Sequence, residues 1–225
     1  MAVKQRAMDA HDKEERRGAL LDAAESLFLA HPDRMASVAE VATAAGLAKG
    51  TVYLYFPSKE EMLLALHERH VTEFFRALAE RLAKPRPVDF GAVFRITRRH
   101  LIEVPAYLPL TSRCFAMLDR DIPLEAAIAF KARVAAMVES AGAQLERHFA
   151  LPAGAGASLL LYSYGLIVGL WQLMHPNKRF GRALDRPELR TLRRDYAHDI
   201  EEALRELWNG LMQRAATPKR ARKPR

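Results

Sequence analysis

No stretch of this chain alternates apolar and polar residues in the way a half-buried strand does. Apolar residues recur every three to four positions, in segments dominated by Ala, Leu, Glu and Arg, and prolines cut those segments apart. A chain patterned this way packs helix on helix. Pro85 and Pro87 mark the clearest break, and Pro32, Pro57, Pro105, Pro109, Pro123, Pro152, Pro176 and Pro187 punctuate the rest. The pattern predicts an all-α fold, with a short helix opening at Ser37 and others over 13–30, 48–56, 58–84, 88–103, 106–118, 123–149, 155–174 and 186–213. With 225 residues, half of them apolar, there is ample material for a core.

The helices carry their own start and stop signals. Asp12 is placed to cap the first, whose apolar face is Leu20, Leu21, Ala24, Leu27 and Phe28. Ser37 with Glu40, and Ser58 with Glu61, have the three-residue spacing of capping boxes. Gly46 is the left-handed residue that ends a helix, and Pro57 forces Phe56 out of helical geometry. Leu63, Leu66, Phe74, Leu78 and Leu82 form the buried stripe of the 58–84 helix. Leu189, Leu192, Tyr196, Ile200, Leu204, Leu207 and Leu211 form that of the last.

One stretch has more than packing in it. Residues 38–55, VAEVATAAGLAKGTVYLY, fit two short helices crossing steeply through a tight turn. Val41 and Ala45 face inward, and Ala42 is small where the second helix passes. Gly46 supplies the turn and Leu47 plugs the joint. Val52, Tyr55 and Phe56 point back at the first helix. Lys49, Gly50, Thr51, Tyr53 and Leu54 are left to face a partner. Lysine reaches guanine acceptors or phosphate, Gly50 lets a backbone approach, and Thr51, Tyr53 and Leu54 suit phosphates and thymine methyls. Lys59, at the start of the next helix, suits a phosphate.

Bulk charge does not locate this face. The formal net charge is +8, yet residues 1–60 carry eight basic against nine acidic side chains, whereas 215–225 carry five basic and no acidic ones. That tail, AATPKRARKPR, reads as disordered.

The segment 37–63, SVAEVATAAGLAKGTVYLYFPSKEEML, resembles the DNA-binding signature of the tetracycline-repressor (TetR) family. The Lys49–Tyr53 run, the Tyr55–Lys59 run and their spacing carry the resemblance. One departure is Ala48, where that family usually has Ser or Thr, so the reading helix lacks a side-chain cap. The resemblance implies a helix-turn-helix domain over 13–60, behind a flexible arm at 1–12. The 58–84 helix then leads into a helical ligand-binding and dimerisation domain over 61–214. It implies contacts to a double-stranded DNA operator from Ser37, Lys49, Gly50, Thr51, Tyr53, Leu54, Tyr55 and Lys59. It also implies a ligand-responsive regulator, a repressor by family habit, with no cofactor.

A single helix-turn-helix buries too little DNA to be selective, and two copies one helical turn apart supply the rest. A homodimer is therefore expected, through Gly165, Gly169 and Trp171 on one helix and Leu204, Leu207, Trp208 and Leu211 on another. Phe94, Tyr107, Cys114, Phe115, Met117, Phe130, Met137, Tyr162 and Tyr164 are candidate walls for a mainly apolar effector, each with plain core packing as the competing account.

Other classes find little support. Gly154-Ala-Gly156 lacks the strand a nucleotide loop follows, and neither a His-Glu-x-x-His site nor a Gly-x-Ser-x-Gly turn occurs. His67 and His70 flank Glu68 at i, i+3 and read as an exposed helix face rather than a metal pair. One cysteine rules out an internal disulfide. The N-terminus lacks a secretory apolar core, and Leu159–Met174 is short for a bilayer, so a cytoplasmic protein without a membrane partner is expected. A non-sensing architectural DNA-binding protein remains the rival class.

Overall fold

The computed structural model describes residues 2–32, 34–175 and 185–216. Among them no strand occurs. The helices are α1 (Ala2–Ala30), α2 (Val38–Ala44), α3 (Lys49–Tyr53), α4 (Lys59–Leu82), α5 (Phe90–Thr97), α6 (Tyr107–Leu118), α7 (Leu124–Phe149), α8 (Ala155–Met174) and α9 (Tyr196–Ala216). A π-helical turn, Arg98–Ile102, prolongs α5, and a 3₁₀ turn, Pro187–Leu192, precedes α9.

Two boundaries differ from expectation. First, α1 begins at Ala2 rather than after Asp12. Residues 2–12 contain neither Gly nor Pro, so nothing stops the helix from running back through the segment expected as a flexible arm. Second, the helix expected over 186–213 is broken. Asp195 caps α9, its carboxylate accepting the His198 N–H at 3.2 Å, and Leu192, expected in the buried stripe, is exposed. The basic tail expected at 215–225 lies, from 217 on, outside the described residues.

The chain forms two compact units. One is Met1–Val71 with Val104–Phe130, and the other is Thr72–Glu103 with Lys131–Arg225. The expected division near residue 60 thus differs from the grouping by contact, in which α6 belongs with the first three helices.

In the first unit, Leu20, Leu21, Val41, Val52, Met62, Leu66, Tyr107 and Leu110 are almost fully buried. Long-range polar ties join its helices. Arg69 forks onto Asp22 (2.6 Å) and Glu25 (2.7 Å) of α1. Arg113 of α6 donates to the Pro32 carbonyl at 2.7 Å and lies 5.5 Å from the Phe28 ring centroid. Arg17 sits over Phe56, likewise at 5.5 Å.

In the second unit, Trp208 of α9 is buried between Phe90 and Phe149, and its Nε1 donates to Ser163 Oγ at 3.1 Å. The Tyr196 hydroxyl donates to the Ile167 carbonyl at 3.0 Å, pinning the start of α9 to α8. Helices α7 and α8 touch through Gly142 and Gly156. A Cβ at Gly142 would lie 2.5 Å from the Ala157 nitrogen, and one at Gly156 would run into the Gly142 carbonyl.

Candidate nucleic-acid interface

The start of α2 is held by three side chains. Ser37 Oγ accepts the Glu40 N–H at 3.3 Å, and Glu40 Oε2 accepts the Ser37 N–H at 2.8 Å, which completes the expected capping box. Arg34 adds a two-pronged bond to the same carboxylate, at 2.6 and 3.0 Å. That guanidinium, and then the Ser37 backbone, hold the Glu40 carboxyl down at about 2. Arg34 was invisible to motif reading, because it lies outside the capping spacing.

Helix α2 ends as Gly46 demands. With φ at 68° it places its N–H on the Thr43 carbonyl (3.1 Å), and Leu47 reaches back to Ala42 (2.9 Å), the paired bonds of a Schellman motif. A Cβ at Gly46 would meet nothing within 4 Å, so the requirement there is the left-handed backbone, not space.

Helix α3 opens at Ala48 with no side-chain cap, as its sequence implies. Val52 and Phe56 are buried at 0% and 3% exposure. On the other side Lys49, Gly50, Tyr53 and Leu54 are exposed, Leu54 to 79%, while Thr51 and Tyr55 are half-buried. Ser37 is exposed, so its hydroxyl can cap α2 and still donate outward. The next helix, α4, starts with the Glu61 N–H on Ser58 Oγ at 3.0 Å, and Lys59 beside it is exposed. The residues expected at DNA thus lie at the start of α2, on and just after α3, and on the first turn of α4. Among the described residues none makes a hydrogen bond, ion pair or ring contact with the side chain of Lys49, Tyr53 or Leu54.

The other expected residues divide. Tyr107, Cys114, Met117 and Phe130 are buried in the first unit. In the second, Phe94 is buried, and Met137 and Tyr164 are half-buried. Phe115 and Tyr162 are instead 44% and 56% exposed, because each falls off the inward stripe of its helix. Burial pushes the Cys114 thiol up to about 12, which keeps it protonated and unreactive. Leu204 and Trp208, expected at a subunit interface, are consumed by the chain's own core at 2% and 4% exposure. Gly165 is exposed and Gly169, Trp171, Leu207 and Leu211 are half-buried. His67 and His70, read as an exposed face, are buried at 5% and 7%, since α6 and α7 cover that side of α4.

Helix α8 is long and apolar enough to cross a membrane by length and composition, and only 17% of its apolar window is buried. His198, Asp199 and Glu202 lie close enough to share an ion, but Arg194 already holds Asp199 at 2.6 and 2.9 Å.

Two short helices joined by a left-handed glycine, with a polar face turned outward, define a helix-turn-helix module at the front of an all-helical chain. Residues 20–66 match the model for bacterial regulatory proteins of the tetR family, and residues 68–215 match a tetracyclin repressor-like C-terminal domain. The chain belongs to the TetR family.

Over 91 residues it is 38% identical to the HTH-type transcriptional repressor LfrR of Mycolicibacterium smegmatis, covering 40% of this chain and 46% of the relative. Over 82 residues it is 38% identical to the HTH-type transcriptional regulator EthR of Mycobacterium tuberculosis, covering 36% of this chain and 38% of the relative. The matched part thus spans less than half the length of either. Among solved structures, a TetR-family transcriptional regulator from Streptomyces coelicolor is 22% identical with a TM-score of 0.52, covering 87% of this chain and 99% of that one. SmeT, the repressor of the Stenotrophomonas maltophilia multidrug efflux pump SmeDEF, is also 22% identical, with a TM-score of 0.51 over 86% and 89%. At that identity the likeness is one of fold.

Proposed function

We propose that this chain is a homodimeric, cytoplasmic transcriptional repressor. It binds a palindromic operator through α3 and releases it when a small, mainly apolar molecule binds the helical C-terminal part. The observation that carries this reading is the outward face of α3. Gly50 lies in a helix, where glycine costs about 0.5–1 kcal/mol against alanine, and a Cβ there would meet nothing within 4 Å. Among the described residues no neighbour requires a glycine at that point. A partner that must come close to the backbone does, and Lys49, Tyr53 and Lys59 around it offer phosphate and base-edge donors.

The dimer finds support in α8. Leu161, Gly165, Gly169 and Leu173 recur every four residues along it. Leu161 and Leu173 are 55% and 70% exposed, and a Cβ on either glycine would meet nothing within 4 Å. Such a stripe admits a second helix closely. A copy of the same chain seated there brings two reading helices to one operator, as selectivity requires. Repression, rather than activation, is proposed from the likeness to the repressor LfrR.

Footprinting on genomic fragments tests the reading. It should show one protected palindrome with half-sites about 34–36 Å apart, and a reporter behind it should be silenced. Uniform protection of all fragments, falling steeply with salt, would instead mark an architectural protein.

A further inference from the structure

The buried His67 ring of α4 is not explained by packing. Its Nε2 lies 3.0 Å from Thr111 Oγ1 on α6. The Thr111 hydroxyl donates to the Tyr107 carbonyl at 2.8 Å, so what it offers His67 is a lone pair. With the hydroxyl hydrogen on that carbonyl, the ring proton lies on Nε2 and Nδ1 is a bare acceptor. Nδ1 is fully buried and finds no hydrogen-bond partner. Burial, and secondarily the neighbouring His70, push the ring down to about 4, so it is neutral at pH 7. Tyr107 stacks on it at 5.4 Å between centroids, and Phe130 meets it edge-on at 5.9 Å. A leucine would serve a purely structural role here at lower cost, since native interiors seldom keep an orphaned acceptor.

We infer that His67 Nδ1 is the polar anchor of the effector site, and that it selects a neutral, flat, apolar molecule carrying one hydroxyl or N–H donor, such as a phenol. This rests on the ligand-responsive reading above and gives that ligand a chemical class. An acceptor locked by its tautomer rewards a donor. A carboxylate would set acceptor against acceptor in an aromatic enclosure and is rejected. A cation lacks a free counter-charge, because Glu25, 3.1 Å from His70, is already engaged by Arg69. Entry requires the Tyr107 and Phe130 rings to part, and the open state is favoured only as far as the ligand binds it better. His67 lies eight residues beyond Lys59 on α4, about 12 Å along the helix, in the same compact unit as α3. Parting α6 from α4 there acts directly on the helix that carries a DNA contact.

Three probes of one shape test this on the full chain: 2-naphthol, its methyl ether and 2-naphthoate, each titrated by calorimetry. The naphthol should bind at least about tenfold more tightly than either of the others. His67→Phe, which keeps an aromatic ring but no acceptor, should bring naphthol down to the level of the ether. Thr111→Val, which frees the tautomer, should narrow the gap between naphthol and naphthoate. Should His67→Phe not fold, the ¹⁵N spectrum of the wild-type ring serves instead, with Nδ1 unprotonated and its resonance moving on adding naphthol. Absent naphthol binding, equal binding of the ether or the naphthoate, a preference that survives His67→Phe, or a proton on Nδ1 each overturns the assignment. Operator binding is measured separately on the ligand-free wild type, so its failure sinks the regulator reading and leaves the naphthol result standing.

Discussion

Helix α3 leaves Lys49, Gly50, Tyr53 and Leu54 in solvent, and α8 leaves Leu161, Tyr162, Gly165 and Leu173 there. The first set is mixed, with a cation, a phenol and a bare backbone. Water solvates most of it well, and on the proposed reading DNA, a polyanion with shaped grooves, covers it. The second set is almost wholly apolar, and Gly169 lies one turn beyond Gly165. Water pays for that surface, so covering it with a like surface is favourable without any special chemistry. Two helices left open by one chain thus imply two different kinds of partner.

The difference is sharpest within α8, where glycines serve both faces. Gly156 looks inward, against the Gly142 backbone, and Gly165 and Gly169 look into open space. Gly156→Val should lower stability by about 3 kcal/mol in urea denaturation, because backbone cannot yield as a side-chain tip can. Gly165→Ala and Gly169→Ala should leave monomer stability unchanged or raise it by up to about 1 kcal/mol. An equal loss at all three would erase the distinction between the faces.

Next in size is the outer face itself. Leu173→Glu should leave a folded monomer by sedimentation and weaken operator binding about a hundredfold, since one half-site contributes only part of the affinity. A dimer that survives would move the interface elsewhere. On α3, Tyr53→Ala should cost about 1–2 kcal/mol of operator binding with the dimer intact. Lys59→Ala should weaken all DNA sequences alike and flatten the salt slope by about one. Unchanged affinity in both variants would show that the reading face lies on another surface.

The smallest effect concerns the start of α2. The Glu40 carboxyl is depressed to about 2 by Arg34 and Ser37. A depressed carboxyl adds stability above its ordinary value of 4.5 and loses it as pH falls from there through about 2. Glu40→Gln should therefore be slightly less stable than wild type at neutral pH and indistinguishable near pH 2, in parallel thermal melts. A gap that persists at low pH would mean that Glu40 acts by packing.

The reading pair was legible because its geometry is local. Ser37 and Glu40 are three residues apart, Gly46 answers to Thr43 and Ala42, and Val52 and Phe56 share a face by helical period alone. The inward stripes of α1 and α4 follow from the same periodicity. Two statements about faces failed, each because a distant helix covered the side chain. His67 looked exposed until α6 and α7 covered it. Leu204 and Trp208 looked like an interface until α5, α7 and α8 enclosed them.

By itself, then, the sequence determined the helices, their caps and the residues that α3 turns outward, because hydrogen bonds within four residues decide those. Only the tertiary structure decided that Val104–Phe130 packs with the reading module, that Arg69 and Arg113 tie α4 and α6 to α1, and that one nitrogen of His67 is left without a partner. Those outcomes depend on contacts between residues some 44 to 81 positions apart, whose pairing no local spacing encodes.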